Sequence, residues 1–121
     1  MEMVEVTPDN ILEEGLFCIK NSKEEGFQLK HQWFLNRFNE GLKLKILKDD
    51  SRKLGYIEYM PGELAWRPVD ASDHMFIQCL YIYAKKDRQK GLGRFMIQDC
   101  VRAASDNKMK GVCTMTSGSA W

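Results

Sequence analysis

The residue types best suited to chemistry lie together in one segment, Arg88-Gln89-Lys90-Gly91-Leu92-Gly93-Arg94, which we call the basic loop. It follows the most apolar run of the chain, Met75 to Tyr83, which predicts a buried central strand. Apolar residues then recur at helical spacing from Leu92 to Ala104 and predict an amphipathic helix. Main-chain N–H groups at the start of a helix lack internal partners and carry the positive end of its dipole. The segment therefore predicts an anion-binding site.

Charge and glycine placement favour a phosphate as that anion. Between residues 85 and 94 there are five basic side chains and a single carboxylate, Asp87, although the net charge of the chain is only +1. Glycine at positions 91 and 93 leaves space for a phosphate near the backbone and permits a positive φ. The alternative is that Gly91 and Gly93 only make a tight turn within a solvated basic segment. The coincidence of strand, cations and helix start favours phosphate binding.

Two better known phosphate motifs do not fit the basic loop. A P-loop needs G-x-x-x-x-G-K-[ST], but Gly93 is followed by Arg94 and Phe95. A dinucleotide-binding fingerprint needs G-x-G-x-x-G, but position 96 is methionine. The remaining pattern, R-x-x-G-x-G, resembles the acetyl-CoA motif of the GNAT superfamily of N-acetyltransferases.

The rest of the chain predicts elements in the order β-α-(α)-β-β-β-α-β. Thr7 and Pro8 are typical of a helix start, and Ser22 with Glu25 of a capping box. The other predicted elements are a helix at 22–39 that Gly41 ends, a half-exposed strand at 42–47 that alternates apolar and basic residues, and strands at 3–6, 54–59 and 112–115. This order predicts an α/β (α+β) fold with a mixed, mostly antiparallel sheet, flanking helices and a terminal βαβ unit.

This order is similar to that of the GNAT fold from about residue 3 onward, and Leu54 to Tyr59 look like the family's G-x-I strand. The resemblance implies acetyl-CoA (coenzyme A) as co-substrate and no metal. It implies that main-chain groups of Tyr81, Ile82 and Tyr83 pair with the pantetheine arm. It further implies that the pyrophosphate is held by the basic loop, through Arg88, Gln89, Lys90, Gly91, Leu92, Gly93 and Arg94.

The reaction implied by the resemblance is direct attack of a primary amine, on a small molecule or a protein, on the thioester of acetyl-CoA. A main-chain N–H between Leu80 and Ile82 would stabilise the oxyanion. Glu58 and His74 are the candidate bases, with Asp73 behind them, and a histidine pKa suits proton transfer near neutral pH. The alternatives are that Glu58 is an exposed strand carboxylate and that His74 is a solvated loop residue.

Three further side chains in or next to the central strand have two interpretations each. Cys79 could be a nucleophile, but no histidine neighbours it in sequence, and a buried cysteine more often serves as a core residue. Tyr81 and Tyr83 share one face of the predicted strand. They either line the acceptor pocket or simply pack.

Composition limits the remaining possibilities. With 121 residues, 44% hydrophobic and 29% charged, the chain is expected to form one globular domain over 1–121. A net charge of +1 argues against nucleic acid and membrane partners, and four dispersed cysteines lack metal-ligand spacing. No run is long enough to span a membrane, so we expect a cytoplasmic protein.

The GNAT fold continues with a further helix and strands, so the domain is expected to be incomplete at its C-terminus. If the chain is whole, a homodimer is expected to complete the sheet. The alternative function is a catalytically silent acyl-CoA-binding or interaction module.

Overall fold

The computed structural model describes residues 1–14, 25–65 and 70–115. One sheet holds five strands in chain order: β1 (Glu2–Glu5), β2 (Lys43–Asp49), β3 (Arg52–Pro61), β4 (His74–Ile82) and β5 (Gly111–Thr114). The first three pairings are antiparallel, and β4 pairs with β5 in parallel. The helices are α1 (Ile11–Glu14), α2 (Glu25–Glu40) and α3 (Leu92–Asp106). The predicted fold class is confirmed, including the final βαβ unit.

Helices cover both faces of the sheet. On one face α1 and α2 place Ile11, Phe27 and Phe34 against β2 and β3. On the other face α3 packs through Leu92, Met96, Cys100 and Ala104. Because both faces are covered, β3 is buried continuously from Leu54 to Met60.

Three predictions about local structure had different outcomes. Gly41, with φ +113°, follows the end of α2 as predicted. The predicted helix start at Thr7 was wrong, because Thr7 N–H donates to Asn10 Oδ1 (2.7 Å) and a turn precedes α1. The predicted capping box at Ser22 lies outside the described residues.

From Lys43 to Ile46, β2 alternates partly exposed lysines with buried apolar residues, as its sequence predicts. Lys45 Nζ lies 2.7 Å from Asp99 Oδ2 on α3, and the Tyr59 hydroxyl donates to the same oxygen at 3.0 Å. Tyr59 is completely buried, and this burial together with the charge of Asp99 raises its pKa well above the ordinary value. Asp99 thus joins α3 to β2 and β3 through one partly buried carboxylate.

Gly55 allows β3 and β4 to approach closely. A Cβ at this position would lie 2.4 Å from the main-chain oxygen of Tyr81 and 3.0 Å from Ile82 Cδ1. Since the first contact is with backbone, any side chain here would displace the end of β4. The glycine of the predicted G-x-I strand therefore sets the position of Tyr81 and Ile82.

Across the three described ranges, no helix combines the length and the apolar character needed to cross a membrane. The same ranges contain no group of three or more His, Cys, Asp or Glu side chains arranged to hold a metal ion.

Replacing Asp99 by alanine is expected to lower the free energy of unfolding by about 2 to 4 kcal/mol, because Lys45 and the Tyr59 hydroxyl lose their shared partner. Asp106→Ala, at the exposed end of the same helix, is the matched control and is expected to change stability by less than about 0.5 kcal/mol. Urea denaturation followed by circular dichroism measures both. Equal stability of the two variants would show that Asp99 does not anchor α3.

Candidate functional site

A β-bulge divides β4 into two parts. Glu58 pairs with Cys79 and Tyr59 pairs with Ile77, so Gln78 is an extra residue in β4. On the other side of β4, β5 pairs with His74 to Ile77. Beyond the bulge, no strand among the described residues pairs with the outer edge of β4.

The pairing with β3 determines which main-chain groups face that outer edge. Tyr83 N–H donates to Leu54 O at 3.0 Å, so the main chain of Tyr83 faces β3. Because hydrogen-bonded pairs alternate along an antiparallel ladder, Tyr81 also faces β3, whereas Leu80 and Ile82 face outward. Of the three residues predicted to offer main-chain groups, only Ile82 does so at the outer edge, and Leu80 joins it.

The chain passes from β4 into the basic loop through a 3₁₀ turn, Lys85–Asp87. Gln89 (φ +64°) and Gly91 (φ +81°) are left-handed, and α3 begins directly after them. Gly91 occupies the N-cap and provides no side-chain cap. The N–H groups of the first turn therefore point out of the helix toward the space beside the loop.

The charge around this helix start is strongly positive. The first turn of α3 contains no acidic residue. Asp87, the carboxylate of this stretch, is buried and forms an ion pair with Arg52 on β3. The five basic side chains are all exposed: Lys85, Lys86, Arg88, Lys90 and Arg94.

The two glycines of the loop differ in their structural role. Gly91 has open space around a Cβ position but a φ that L-residues avoid, whereas Gly93 is helical and a Cβ there would lie 3.8 Å from Leu80 Cδ2. The protein alone therefore favours glycine at position 91, because of its φ, and tolerates alanine at position 93. That both glycines clear space for a ligand stays a prediction.

Arg88 reaches back toward β4. Its guanidinium lies 5.6 Å from the ring centroid of Tyr81, and Nη2 is 3.3 Å from the Tyr81 hydroxyl. The side chain of Arg88 thus links the basic loop to the end of β4.

Three tyrosines form a cluster on the face of the sheet that carries α2. The ring centroids of Tyr56, Tyr81 and Tyr83 lie 6.0 to 6.4 Å apart, and Tyr81 is half exposed. The Tyr56 hydroxyl lies 3.1 Å from Cys79 Sγ. The prediction that Tyr81 and Tyr83 share one face is confirmed.

Glu58 is buried, so its interpretation as an exposed strand carboxylate was wrong. Only 2% of the residue is exposed, and Lys30 Nζ from α2 lies 3.1 Å from its Oε1. The same ammonium lies 4.0 Å from the centroid of a Trp33 ring. Glu58 stands directly opposite Cys79, beside the bulge.

The structure separates the two candidate bases. His74 is the first residue of β4, and its Nδ1 lies 2.8 Å from the main-chain oxygen of Ser72. It is eight residues from Ile82, which is about 26 Å along an extended strand. His74 therefore lies far from the basic loop, at the other end of β4.

No protein-family model matches the chain. The uncharacterized N-acetyltransferase YoaP of Bacillus subtilis (strain 168) is 29% identical over 111 residues, which are 90% of this chain and 43% of that protein. The chain thus spans less than half the length of this curated relative.

Solved acetyltransferases superpose on nearly the whole chain. The aminoglycoside N-acetyltransferase AAC(6')-Iy, in complex with the bisubstrate analogue CoA-S-monomethyl-acetylneamine, gives a TM-score of 0.71 at 13% identity over 98% of this chain and 81% of that chain. AAC(6')-IG from Acinetobacter haemolyticus gives 0.72 at 13% identity, over 99% and 82%. The ribosomal-protein-alanine N-acetyltransferase from Brucella melitensis gives 0.65 at 20% identity, over 99% and 77%.

The chain has the GNAT acetyltransferase fold. Its sequence is similar to that of an N-acetyltransferase, and its fold is similar to those of several solved acetyltransferases.

Within this GNAT fold, sequence reasoning missed two features of the site. Gln78 is the one strongly polar residue inside the apolar run, which was a signal for the bulge. Arg52 gave no signal, because its ion pair with Asp87 joins residues 35 positions apart.

The different geometry of the two glycines is testable in the protein without ligand. Gly91→Ala is expected to destabilise it by about 1 to 2 kcal/mol, because alanine must adopt a left-handed conformation. Gly93→Ala is expected to be neutral or to stabilise it by up to about 1 kcal/mol, because alanine favours the helix. Urea denaturation compares the two. Destabilisation by Gly93→Ala equal to that by Gly91→Ala would contradict the assignment.

Proposed function

We propose that the chain transfers the acetyl group of acetyl-CoA to a primary amine of a small molecule or protein, by direct attack of the amine on the thioester. The observation that carries the proposal is that the outer edge of β4, unpaired among the described strands, is continuous with the positively charged start of α3. The outer edge of β4 beyond the bulge leads into a helix N-terminus surrounded by five exposed cations. An extended arm along such an edge and a pyrophosphate at its end match these two features.

The described residues fit coenzyme A in a specific way. Main-chain groups of Ile82 and Leu80 face the outer edge and would pair with the pantetheine arm. The N–H groups at Leu92, Gly93 and Arg94 would bind the pyrophosphate, and the surrounding cations would attract it. Leu80 is the nearer of the two outward-facing residues to the bulge. Its N–H is therefore our candidate donor to the oxyanion.

We propose Glu58 as the base, because it stands opposite Cys79 beside the bulge, within one strand of the outer edge. Lys30, in contact with this carboxylate, would hold its orientation. His74 is left out of the mechanism because it lies at the far end of β4.

A second candidate function is acyl-CoA binding without turnover. It is favoured by the burial of Glu58 and by its ion pair with Lys30, since a general base must reach the amine. Measurement of both binding and turnover separates the two functions.

The acceptor of the acetyl group is proposed to be a primary amine. One structural neighbour is an aminoglycoside N-acetyltransferase, and another is a ribosomal-protein-alanine N-acetyltransferase. These names support an amine acceptor and leave both small molecules and proteins open. The half-exposed Tyr81 would line the acceptor side. The single domain over 1–121, the homodimer and the cytoplasmic setting stay predictions.

Arg94→Glu distinguishes a binding site from a merely structural helix start. Glutamate in the first turn is expected to stabilise the free protein by about 0.3 to 1 kcal/mol. Because it also repels the pyrophosphate, we expect affinity for acetyl-CoA, measured by calorimetry, to fall more than tenfold.

Arg102→Glu is the control for Arg94→Glu, since it makes the same change in net charge on the exposed surface of α3, about 12 Å further along the helix. It is expected to leave affinity within about twofold. Absence of binding by the unmodified chain at millimolar acetyl-CoA would remove the proposal. Equal effects of the two variants would show that the site does not lie at the start of α3.

Glu58→Gln tests catalysis separately from binding. We expect kcat to fall by about 10² to 10⁴-fold, because the amine loses its base, while affinity for acetyl-CoA stays unchanged. Thiol release with a panel of primary amines measures turnover, and His74→Gln is the control expected to retain it. Unchanged kcat in Glu58→Gln would exclude this residue as the base. Binding without turnover by the unmodified chain would favour the silent module.

A further inference from the structure

Asp87 is an unusual residue for its position. It is the carboxylate among five exposed basic side chains, and only 6% of the residue is exposed. Its Oδ2 contacts Nη2 of Arg52, whereas the neighbouring cations in sequence stay at the surface. A buried carboxylate with one distant arginine partner calls for an explanation in terms of the site beside it.

The sheet explains how Arg52 reaches this carboxylate. Arg52 opens β3 directly after the turn Asp50–Ser51, where Asp50 adopts φ +55°. The start of β3 lies beside the end of β4, because Gly55 pairs with Ile82 and Tyr83 N–H donates to Leu54 O. The tip of the β2–β3 hairpin is therefore placed against the 3₁₀ turn that leads into the basic loop.

The ion pair fixes the entry to the basic loop. Within the turn, Asp87 N–H donates to Ala84 O at 2.9 Å and Arg88 N–H donates to Lys85 O at 3.1 Å. Asp87 is thus held both through its main chain and through its side chain. Arg88 and the left-handed Gln89 follow immediately, so a shift of Asp87 would alter the direction in which the loop leaves the turn.

The ion pair also affects the charge that a phosphate would encounter. An unpaired Asp87 would place an uncompensated negative charge near the start of α3 and would weaken the attraction of that site for a pyrophosphate. If Asp87 instead paired with one of the five exposed cations, that cation would no longer be available to attract the ligand. Arg52 neutralises the carboxylate from outside the loop, and the five cations remain exposed.

We propose that Arg52 is a positioning residue for coenzyme A, acting through Asp87. This inference rests on the proposed function. Arg52 sets the backbone direction of the basic loop and cancels the charge of its carboxylate, without itself contacting the ligand. Affinity for coenzyme A therefore depends on a side chain of the β2–β3 hairpin.

The test is calorimetric titration of coenzyme A into Arg52→Ala, with circular dichroism confirming that the variant is folded at the temperature used. We expect the Kd to rise about tenfold. Pantetheine lacks the pyrophosphate, so its affinity is expected to stay unchanged. Arg102→Ala removes the same charge from the surface of α3 and is expected to bind coenzyme A normally.

Two further variants assign the effect to the ion pair. Arg52→Lys keeps the charge and is expected to retain affinity within about threefold. The exchange Arg52→Asp with Asp87→Arg is expected to bind more tightly than Arg52→Ala, because the pair is restored with opposite polarity.

The outcomes separate this inference from the proposed function. If the unmodified chain does not bind coenzyme A, both fall. If it binds, and Arg52→Ala loses thermal stability while its Kd stays unchanged, Arg52 is merely structural and only this inference falls. An exchange variant that binds no better than Arg52→Ala would also overturn it, since the ion pair would then not be the cause.

Discussion

The main-chain N–H and C=O groups of β4 need hydrogen-bond partners on both edges of the strand. The proposed site depends on the change in strand pairing at Gln78. Before the bulge, β4 hydrogen-bonds to β3 on one side and to β5 on the other. After the bulge, β3 continues to pair with it while β5 does not. A single inserted residue thus converts a strand that is paired on both edges into one whose main-chain groups at Leu80 and Ile82 face an edge that no strand of the described residues pairs with.

The elements around β4 keep this edge and the basic loop in register. Gly55 fixes the distance between β3 and the end of β4, because no side chain fits against the oxygen of Tyr81. Asp99 fixes α3 against the sheet, because its carboxylate contacts Lys45 of β2 and Tyr59 of β3. The beginning of α3 is therefore held at the point where β4 ends. The packing of the βαβ unit, rather than the loop sequence alone, aligns the two halves of the site.

The sequence predicted what depends on local patterns. The amphipathic stripe of α2, the glycine after it, the apolar run of β4 and the helix after the basic loop all follow from side-chain periodicity and backbone conformation. Three features escaped because they depend on tertiary contacts. Lys45 of β2 pairs with Asp99 of α3, Glu58 of β3 pairs with Lys30 of α2, and Asp87 pairs with Arg52 of β3. Each is an ion pair between elements distant in sequence, which residue spacing cannot reveal.

The electrostatics of α3 provide an argument for an anionic ligand that does not rely on family resemblance. A helix N-terminus is stabilised by acidic residues and side-chain caps. Here the N-cap is a glycine, the first turn has no acid, and Arg94 lies where a cation is unfavourable. The neighbouring carboxylate is buried and neutralised by Arg52. This concentration of uncompensated positive charge on a chain with a net charge of +1 is explained if an anion, as we propose the pyrophosphate of coenzyme A, supplies the missing partner.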